Sequence, residues 1–221
     1  MMKHKFLLPI TGLFTATLLI ANTLDTKIFN FFGLDLPAGI ILFPLAYLAA
    51  DVLTEVYGYA ICRRVIWSGF VALIVMVISY EVARALPPAS FWTNQAAFDL
   101  VLAQIPRIVA GSIVAYVCGE FTNSYIVAKM KVWMNGRAMA LRFVLSTIFG
   151  QLVDTVVFVA IAFTGLYAFG SLVAIAFSAW LVKVGWEIIA LPVTLPIVRS
   201  LKRLEVEDFY DRETDFNPFH M

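Results

Sequence analysis

The sequence predicts an all-α membrane protein of six transmembrane helices with both chain ends in the cytoplasm. Three observations predict this fold class: a high apolar content, six long apolar segments, and an uneven placement of lysine and arginine. Apolar residues make up 62% of the 221 residues and charged residues 14%, whereas soluble domains are about 45–50% apolar. A soluble core cannot hide that much apolar surface, so lipid must cover much of it.

Six segments reach the roughly 20 apolar residues that a helix needs to cross a bilayer. They are predicted at Phe6–Leu24, Leu36–Tyr57, Val65–Leu86, Ala97–Gly119, Leu141–Thr164 and Ser171–Val198. The first follows basic residues, as a signal peptide does, but it lacks an A-x-A cleavage site and is interpreted as a retained helix. Residues 1–204 are therefore expected to form one six-helix membrane domain, and residues 205–221 a polar, acidic and solvated cytoplasmic tail.

The lysine and arginine residues orient the predicted helices, because cytoplasmic loops carry the excess of positive charge. Only Lys27 and Arg84 fall on one side of the spans. The other side holds Lys3, Lys5, Arg63, Arg64, Lys129, Lys131, Arg137, Arg142, Arg199, Lys202, Arg203 and Arg212. This asymmetry predicts cytoplasmic termini. The longest loop, Phe121–Leu141, is expected to be a helical segment lying at the membrane interface; a gate is the alternative.

The six segments divide into two sets of three. Placing Asp51 over Asp154 also lays the third segment over the sixth. Halves with an odd number of helices would be inverted relative to each other, as in many secondary transporters. Two inverted three-helix repeats are therefore a hypothesis.

Ionisable side chains lie inside the predicted spans. Arg107 falls in the fourth, Asp154 in the fifth, Lys183 and Glu187 in the sixth, and Asp51 in the inner half of the second. A charge at the centre of a bilayer costs about 2.5–3.5 kcal/mol on insertion scales. These groups must therefore face the protein interior and have partners.

Helical spacing places these groups on shared faces with other polar residues. The faces comprise Tyr47, Asp51, Thr54 and Glu55; Gln104 and Arg107; Thr147, Gln151 and Asp154; and Trp180, Lys183 and Glu187. Four helices thus present polar groups to a common interior, which predicts a hydrated central site. The alternative is structural pairing, of Arg107 with Asp154 and of Lys183 with Glu187.

Three further polar residues have open interpretations. Glu55 lies near Arg63 and Arg64 in the sequence, so an interfacial ion pair is favoured over a ligand role. Asn22, near the outer end of the first helix, suits capping and binding equally. Glu120, at a span end, is expected to contact water and is assigned no role.

A ridge of small residues lies on the fourth predicted helix. Gly111, Ala115 and Gly119 follow small-xxx-small spacing. Such spacing lets the backbone of a neighbouring helix approach closely.

The chain shows no enzyme signature. A Gly-rich phosphate loop, an H-E-x-x-H motif and a nucleophile elbow are all missing from the sequence. Asp51 and Asp154 resemble a protease dyad only formally, because Arg107 and Lys183 would keep both ionised. The two cysteines have neither disulfide nor metal-site spacing. Neither a catalytic function nor a metal or cofactor is predicted.

Three stretches are similar to the queuosine precursor transporter family, also called the vitamin uptake transporter family. They are FPLAYLAADVLTEVYGYAICRRVIWSGF at 43–70, ASFWTNQAAFD at 89–99 and STIFGQLVDTVVFVAIAFTG at 146–165. The most specific parts are D-x-x-x-E-x-Y-G at Asp51–Gly58 and S-T-x-x-G-Q-x-x-D at Ser146–Asp154. The resemblance implies a bacterial inner-membrane importer of 7-deazaguanines, such as 7-cyano-7-deazaguanine and 7-aminomethyl-7-deazaguanine, for tRNA queuosine salvage.

The polar residues suit such a cargo. A carboxylate, Asp154 or Glu187, can accept the adjacent N1–H and N2–H donors of the base. Amide or guanidinium groups can donate to O6, and aromatic rings can stack on the base. The predicted binding residues are Asp51, Gln104, Arg107, Gln151, Asp154, Trp180, Lys183 and Glu187, with Asn22, Phe43, Tyr47 and Glu55 as secondary candidates.

Two other function classes stay open at this point. One is a substrate-binding membrane subunit that depends on a separate ATP-driven energising module. The other is a structural protein without cargo. The expected partners are the small-molecule 7-deazaguanine and the lipid bilayer, with no direct nucleic acid contact. Proton coupling and facilitated diffusion fit the sequence equally well, and the oligomeric state is not predicted.

Overall fold

A computed structural model describes residues 4–219 of the chain. Lys3, one of the predicted cytoplasmic cations, lies outside the described residues, as do the outermost residues of the predicted membrane domain and tail. In chain order the elements are α1 (Leu7–Leu24), a hairpin of β1 (Ile28–Phe31) and β2 (Leu34–Pro37), a short 3₁₀ turn (Ala38–Ile41), α2 (Phe43–Tyr57), α3 (Tyr59–Ala85), α4 (Gln95–Leu102), α5 (Ile105–Trp133), α6 (Met139–Phe163) and α7 (Phe169–Glu205).

The helix bundle has two ends, named here by what they carry. At the terminal face α1 begins and α7 ends, and the backbone N–H groups of Lys5 and Phe6 donate to the Glu205 carboxylate at 3.0 and 2.6 Å. At the opposite hairpin face, β1 and β2 pair antiparallel. The two described chain ends therefore share one face, as predicted. Their cytoplasmic location stays a prediction.

Five helical segments within residues 4–219 are long and apolar enough to cross a membrane: α1, α3, the α4–α5 stretch, α6 and α7. The prediction of six such spans is not confirmed, because the predicted second span, Leu36–Tyr57, is largely an interior element. Helix α2 has only 15 residues, nearly all buried. It is therefore about 22 Å long, shorter than the roughly 30 Å hydrocarbon layer. The inverted repeats stay a prediction.

Proline and glycine set the two ends of α2. Pro44 lies in the first turn, where a missing N–H costs nothing. Gly58 ends the helix at φ 87° and ψ 164°, a conformation that L side chains rarely adopt. A Cβ added there would lie 2.3 Å from the Phe209 ring. The chain consequently reverses through one glycine into α3.

The helical segment predicted within Phe121–Leu141 is present as far as Trp133, but it packs inside the bundle and does not lie at the membrane interface. Helix α5 continues without a break to Trp133. Asn123, Ser124 and Lys131 on this continuation are buried inside the bundle rather than lying at an interface. The ammonium of Lys131 is paired inside the protein with Glu55 and Asp208.

The contact of α5 with α6 is the most extensive helix packing in the described chain. It depends on two facing glycines. A Cβ on Gly119 would lie 2.4 Å from the Asp154 Cβ, and a Cβ on Gly150 would lie 2.8 Å from the Asn123 Cβ. The predicted small-residue ridge therefore makes a close helix contact at Gly119, where Asp154 of α6 packs directly against α5.

The described part of the tail packs on the terminal face through a few residues, while many of its residues stay exposed to solvent. Asp211 is 2% exposed, and its Oδ1 accepts the Tyr59 backbone N–H at 3.1 Å. Arg63 donates to the carbonyl oxygens of Asp215 and Asn217 at 2.9 and 2.7 Å. Burial raises the pKa of Asp211 above its ordinary value. The division of the chain at residue 205 stays a prediction.

Candidate functional site

A buried ion pair joins α6 to α7 in the middle of the bundle. Lys183 Nζ lies 2.7 Å from Asp154 Oδ2, and the two side chains are 8% and 6% exposed. The same ammonium donates to Thr155 Oγ1 at 3.3 Å. Lys183 thus pairs across helices, and the predicted structural pairing with Glu187 on its own helix is wrong. Helical spacing alone had made the local pair an alternative.

Aromatic rings cover this ion pair from α2 and α5. Lys183 Nζ lies 5.1 Å from the Phe43 ring centre and 5.6 Å from that of Tyr47. Tyr47 is stacked on Phe43 at 6.2 Å and on Tyr116 at 6.0 Å, with an angle of 11° between the planes of Tyr47 and Tyr116. Cation–π attraction holds the ammonium over these rings. The site therefore combines a carboxylate, an ammonium and flat apolar faces.

Two small cavities lie on either side of Lys183. The first is about 20 Å³ and the second about 10 Å³. The polar residues lining the first are Asp25, Ser112, Tyr116, Asp154, Thr155 and Lys183; those lining the second are Tyr47, Thr147, Gln151, Lys183, Trp186 and Glu187. Each has room for about one water molecule, so neither cavity is large enough for a bigger guest.

Two predicted residues, Gln151 and Glu187, meet at the second cavity. They are 1% and 5% exposed. Gln151 Oε1 and Glu187 Oε1 have no hydrogen-bond partner among residues 4–219. The Tyr47 hydroxyl lines the same cavity and also has no hydrogen-bond partner among residues 4–219. Buried polar atoms are normally paired, so these oxygens mark a place where a polar guest can bind.

Gln104, Arg107 and Trp180 are not brought to this centre. The helical stretch is interrupted between α4 and α5 at Ala103–Gln104. Gln104 and Arg107 therefore lie near the hairpin face, and both are exposed. Arg107 donates to the carbonyl oxygens of Ile161, at 2.9 Å, and Thr164. It caps the end of α6, and the predicted Arg107–Asp154 pair is wrong.

Trp180 also points away from the cavities. Its Nε1 donates to the Ile148 carbonyl oxygen at 3.1 Å, and it lines an apolar groove between α6 and α7. Phe43 and Tyr47, held as secondary candidates, are the rings that face Lys183. Helical periodicity placed Trp180 on the same face of α7 as Lys183, whereas its side chain is turned towards Ile148 and the groove.

Asp25 is a site residue that sequence reasoning missed. It follows α1 directly, at the end of a predicted span, and it is 1% exposed. Its Oδ1 accepts the Gly39 N–H at 3.0 Å. A Cβ on Gly39 would lie 2.4 Å from that oxygen, so only glycine fits. Asp25 thereby closes the first cavity towards the hairpin face.

A buried polar stripe on α5 was missed as well. Ser112, Tyr116, Glu120 and Asn123 follow helical spacing, a signal that was available in the sequence. Glu120 is 0% exposed, so the expectation that it contacts water is wrong. Asn123 Nδ2 donates to Asp51 Oδ1 at 2.7 Å. Asp51 therefore faces α5, on the far side of α2 from solvent.

Glu55 is the centre of an ion network at the terminal face. Its oxygens accept hydrogen bonds from Arg142, at 3.0 Å for Nη2, and from Lys202 at 2.6 Å, and Lys131 Nζ lies 3.7 Å away. Lys131 and Lys202 also reach Asp208 at 2.7 and 2.9 Å. Partial burial opposes the shift, but these two cations lower the pKa of Asp208.

The interpretations that the sequence suggested for Glu55 and Asn22 need revision. Arg63 and Arg64 do not pair with Glu55; Arg63 holds tail carbonyls instead. Asn22 does not cap a helix end, because its Nδ2 donates to Leu18 O within α1 at 2.9 Å. Its binding role stays a prediction.

Comparison with known proteins bears on this arrangement. The family model described as putative vitamin uptake transporter matches residues 37–197. The chain is 31% identical over 173 residues to the probable queuosine precursor transporter of Bacillus subtilis, covering 78% of this chain and 76% of that protein. No solved structure matches the chain significantly.

Two other relatives match over a shorter stretch. The queuosine precursor transporter of Escherichia coli is 28% identical over 125 residues, covering 57% of this chain and 54% of the relative. The probable queuosine precursor transporter of Haemophilus influenzae is 26% identical over 139 residues, covering 61% and 54%. The chain thus spans about half the length of these two relatives.

The matched region begins at the end of β2 and extends into α7, so it contains every residue of both cavities except Asp25. The resemblance based on Asp51–Gly58 and Ser146–Asp154 is confirmed. This chain is a multi-pass membrane protein that belongs to the putative vitamin uptake transporter family, a family of transporters and not of enzymes.

Proposed function

We propose that this protein imports queuosine precursors across the bacterial inner membrane, with both termini in the cytoplasm. The cargo would be a 7-deazaguanine such as 7-cyano-7-deazaguanine or 7-aminomethyl-7-deazaguanine, taken up for tRNA queuosine salvage. The names of three relatives support this substrate class. The excess of lysine and arginine at the terminal face supports the orientation.

One observation carries the proposal: the buried Asp154–Lys183 pair, 2.7 Å long, lies under the stacked rings of Phe43 and Tyr47. A carboxylate accepts the N1–H and N2–H donors of a deazaguanine edge. An ammonium or the Gln151 amide donates to O6. Stacking on an aromatic ring contributes about 1–3 kcal/mol per base.

The proposed pocket comprises Phe43, Tyr47, Gln151, Asp154, Lys183 and Glu187. Glu187 is the second candidate for the base edge, because its Oε1 lacks a partner within residues 4–219. Gln104 and Arg107, exposed near the hairpin face, are candidates for the entrance only. Trp180 and Glu55 are held elsewhere by α6 and by the ion network.

Cargo binding requires the helices to separate. Ligand pockets have volumes of about 300–1,000 Å³, whereas the two cavities here measure about 20 and 10 Å³. The Glu55 network closes the terminal face, and Asp25 on Gly39 closes the hairpin face. Alternating opening of these two closures is the transport cycle that we propose.

Uptake of labelled 7-cyano-7-deazaguanine into cells without their own carrier tests the proposal. Asp154→Asn keeps the side-chain shape but removes the charge that holds Lys183. We expect uptake to fall at least about tenfold at matched membrane levels, equivalent to about 1.4 kcal/mol. Glu213→Gln, which changes an exposed acid of the tail, is the matched control. Unchanged uptake by Asp154→Asn would remove this residue from the site.

The alternative function, a subunit dependent on an ATP-driven module, predicts a different result in a purified system. Proteoliposomes containing only this protein should take up the labelled base if it is a solitary transporter. A strict requirement for an ATPase partner would favour the alternative.

A further inference from the structure

We propose that Asp51, hydrogen-bonded by Asn123, and Glu120, hydrogen-bonded by Ser124, form a proton-binding site separate from the cargo pocket, and that its proton is carried inward with the cargo. This inference rests on the import function proposed above. It concerns the source of energy for import against a concentration difference, which the cargo pocket alone does not provide.

The site is a polar cluster between α2 and α5, extended by a thiol from α3. Asn123 Nδ2 donates to Asp51 Oδ1 at 2.7 Å. Ser124 Oγ lies 3.2 Å from both Glu120 Oε1 and Thr54 Oγ1. The two carboxyl groups therefore belong to two side-chain networks supported by consecutive residues of α5.

Both carboxyl groups are completely buried, and neither has a cationic partner within the described chain. Asp51 and Glu120 are each 0% exposed, and no ion pair involves either of them within residues 4–219. Lys183, the nearby cation of α7, is bound by Asp154. A buried carboxylate without a counter-ion is so costly that the group takes up a proton instead.

Unpartnered oxygens show where that proton binds. Asp51 Oδ2, Glu120 Oε2 and Asn123 Oδ1 are buried and have no hydrogen-bond partner among the described residues. All three atoms are acceptors only, so they cannot satisfy one another while the acids are ionised. A proton on Asp51 Oδ2 makes it a donor and permits a second hydrogen bond of the acid–amide pair.

A proton fits this cluster better than a metal cation does. Hard cations such as Ca²⁺ and Mg²⁺ take about six or more oxygen ligands. The cluster offers three free oxygens, and all three belong to groups that are already hydrogen-bonded through another atom. A single proton needs only one donor and one acceptor oxygen.

The charges facing the pair from neighbouring elements are mostly acidic. Glu55 acts on Asp51 from α2 itself, and Glu187 acts on it from α7. Asp154 of α6 and Glu187 act on Glu120, and the Cys62 thiol of α3 lies beside both acids. Helix α1, Leu7–Leu24, contains no titratable side chain. Negative surroundings favour the neutral, proton-bearing form.

Glu187 connects the proton site to the cargo pocket. It lines the cavity beside Lys183 and acts electrostatically on Asp51 and Glu120. When the outside is accessible, an O–H bond forms between a carboxylate oxygen and a proton from external water. After reorientation that bond breaks, and the proton leaves to cytoplasmic water with the carboxylate restored. No other reactant is needed.

A first experiment needs no cargo. Infrared spectra of the purified full-length protein, recorded at acid and alkaline pH, report the C=O stretch of a protonated carboxyl group. We expect such a band in the wild type and its partial loss in Glu120→Gln and in Asp51→Asn. Both substitutions keep the shape of the neutral acid, and the amide introduced by Asp51→Asn can still pair with Asn123. A wild-type spectrum without that band overturns the proposal.

A second experiment tests coupling in proteoliposomes, with the membrane potential clamped and 7-cyano-7-deazaguanine as cargo. An acidic exterior should accelerate wild-type uptake several-fold, and adding cargo should acidify the lumen. Glu120→Gln should bind the base with unchanged affinity but lose the response to pH, while Glu213→Gln keeps it. Uptake that ignores the pH gradient, or follows a sodium gradient, overturns proton coupling. Failure of the wild type to bind the base refutes the import function instead.

Discussion

Glu55 is the residue on which the terminal face depends. Its carboxylate is 0% exposed and forms ion pairs with Arg142, Lys131 and Lys202, while Asp208 supplies a second negative charge to the two lysines. These cations come from the ends of α5, α6 and α7. One buried carboxylate on α2 therefore connects the ends of α5, α6 and α7, at a place where water cannot take over its ion pairs.

Removing this charge should destabilise the protein strongly. Glu55→Gln leaves Arg142 and Lys131, which are 0% and 1% exposed, without a full counter-charge. Breaking a buried ion pair from one side costs about 3–5 kcal/mol. We expect a lower midpoint of thermal unfolding in detergent, together with opening of the terminal face.

The control for this prediction is Glu213→Gln, because Glu213 is an exposed acid of the tail. Exposed substitutions usually change the free energy of unfolding by less than about 0.5 kcal/mol. Equal midpoints for the two variants would show that the Glu55 network contributes nothing to stability.

Close helix contacts, rather than polar groups, decide where Asp154 sits. Gly119 on α5 touches α6 at the Gly150 carbonyl and at Asp154. Interfaces with small residues let membrane helices pack backbone to backbone. The position of the acid thus depends on a residue that carries no functional group.

A single added methyl group should disturb this contact. In Gly119→Ala the new Cβ would lie 2.4 Å from the Asp154 Cβ and 2.8 Å from Gly150 O, so α6 must shift. Overpacking of this kind costs about 1–3 kcal/mol. We expect a lower unfolding midpoint and weaker binding of labelled 7-cyano-7-deazaguanine.

Gly185→Ala is the matched control for Gly119→Ala. It adds the same methyl group inside α7, where no atom lies within 4 Å. Alanine favours the helix, so this variant should be neutral or slightly stabilising. A result in which both glycine variants behave alike would refute the close-contact explanation.

At the scale of the whole molecule, the orientation in the membrane is the main testable property. Alkaline phosphatase is active only outside the cytoplasm. Fused after residue 219 it should therefore be inactive, and inserted at Ser90, between α3 and α4, it should be active. Fluorescent-protein fusions at the same two places should give the opposite pattern. Activity at the C-terminal fusion would invert the proposed topology.

Much of the architecture was predictable from the sequence. The features that were not predicted are the burial of α2 and the start of α5. Apolar runs located the five long spans, yet they could not show that α2 is buried rather than spanning. Hydropathy measures how apolar a segment is, and both lipid-facing and interior helices are apolar. The interruption at Ala103–Gln104, which leaves Arg107 near the hairpin face, does have a sequence signal in Pro106, which lies in the first turn of α5, but the predicted span Ala97–Gly119 ran through it.

The candidate site was predictable in type and only partly in membership. Buried charges in apolar segments correctly indicated Asp154, Lys183, Gln151 and Glu187 as interior groups. Periodicity reports the face of a helix but not the neighbour it meets, so it left open whether Arg107 or Lys183 neutralises Asp154; the structure shows Lys183. Asp25 was missed because the end of a span usually contacts water.

By itself, the sequence determined that this chain is a multi-helix membrane protein of a transporter family, because composition and local motifs do not depend on packing. Only the tertiary structure decided which buried charges neutralise each other. It paired Asp154 with Lys183, gathered three cations on Glu55, and left Asp51 and Glu120 without a cation in residues 4–219. Such pairings depend on distances of a few ångströms between helices far apart in the chain, and electrostatic energy changes steeply over that range in a low dielectric.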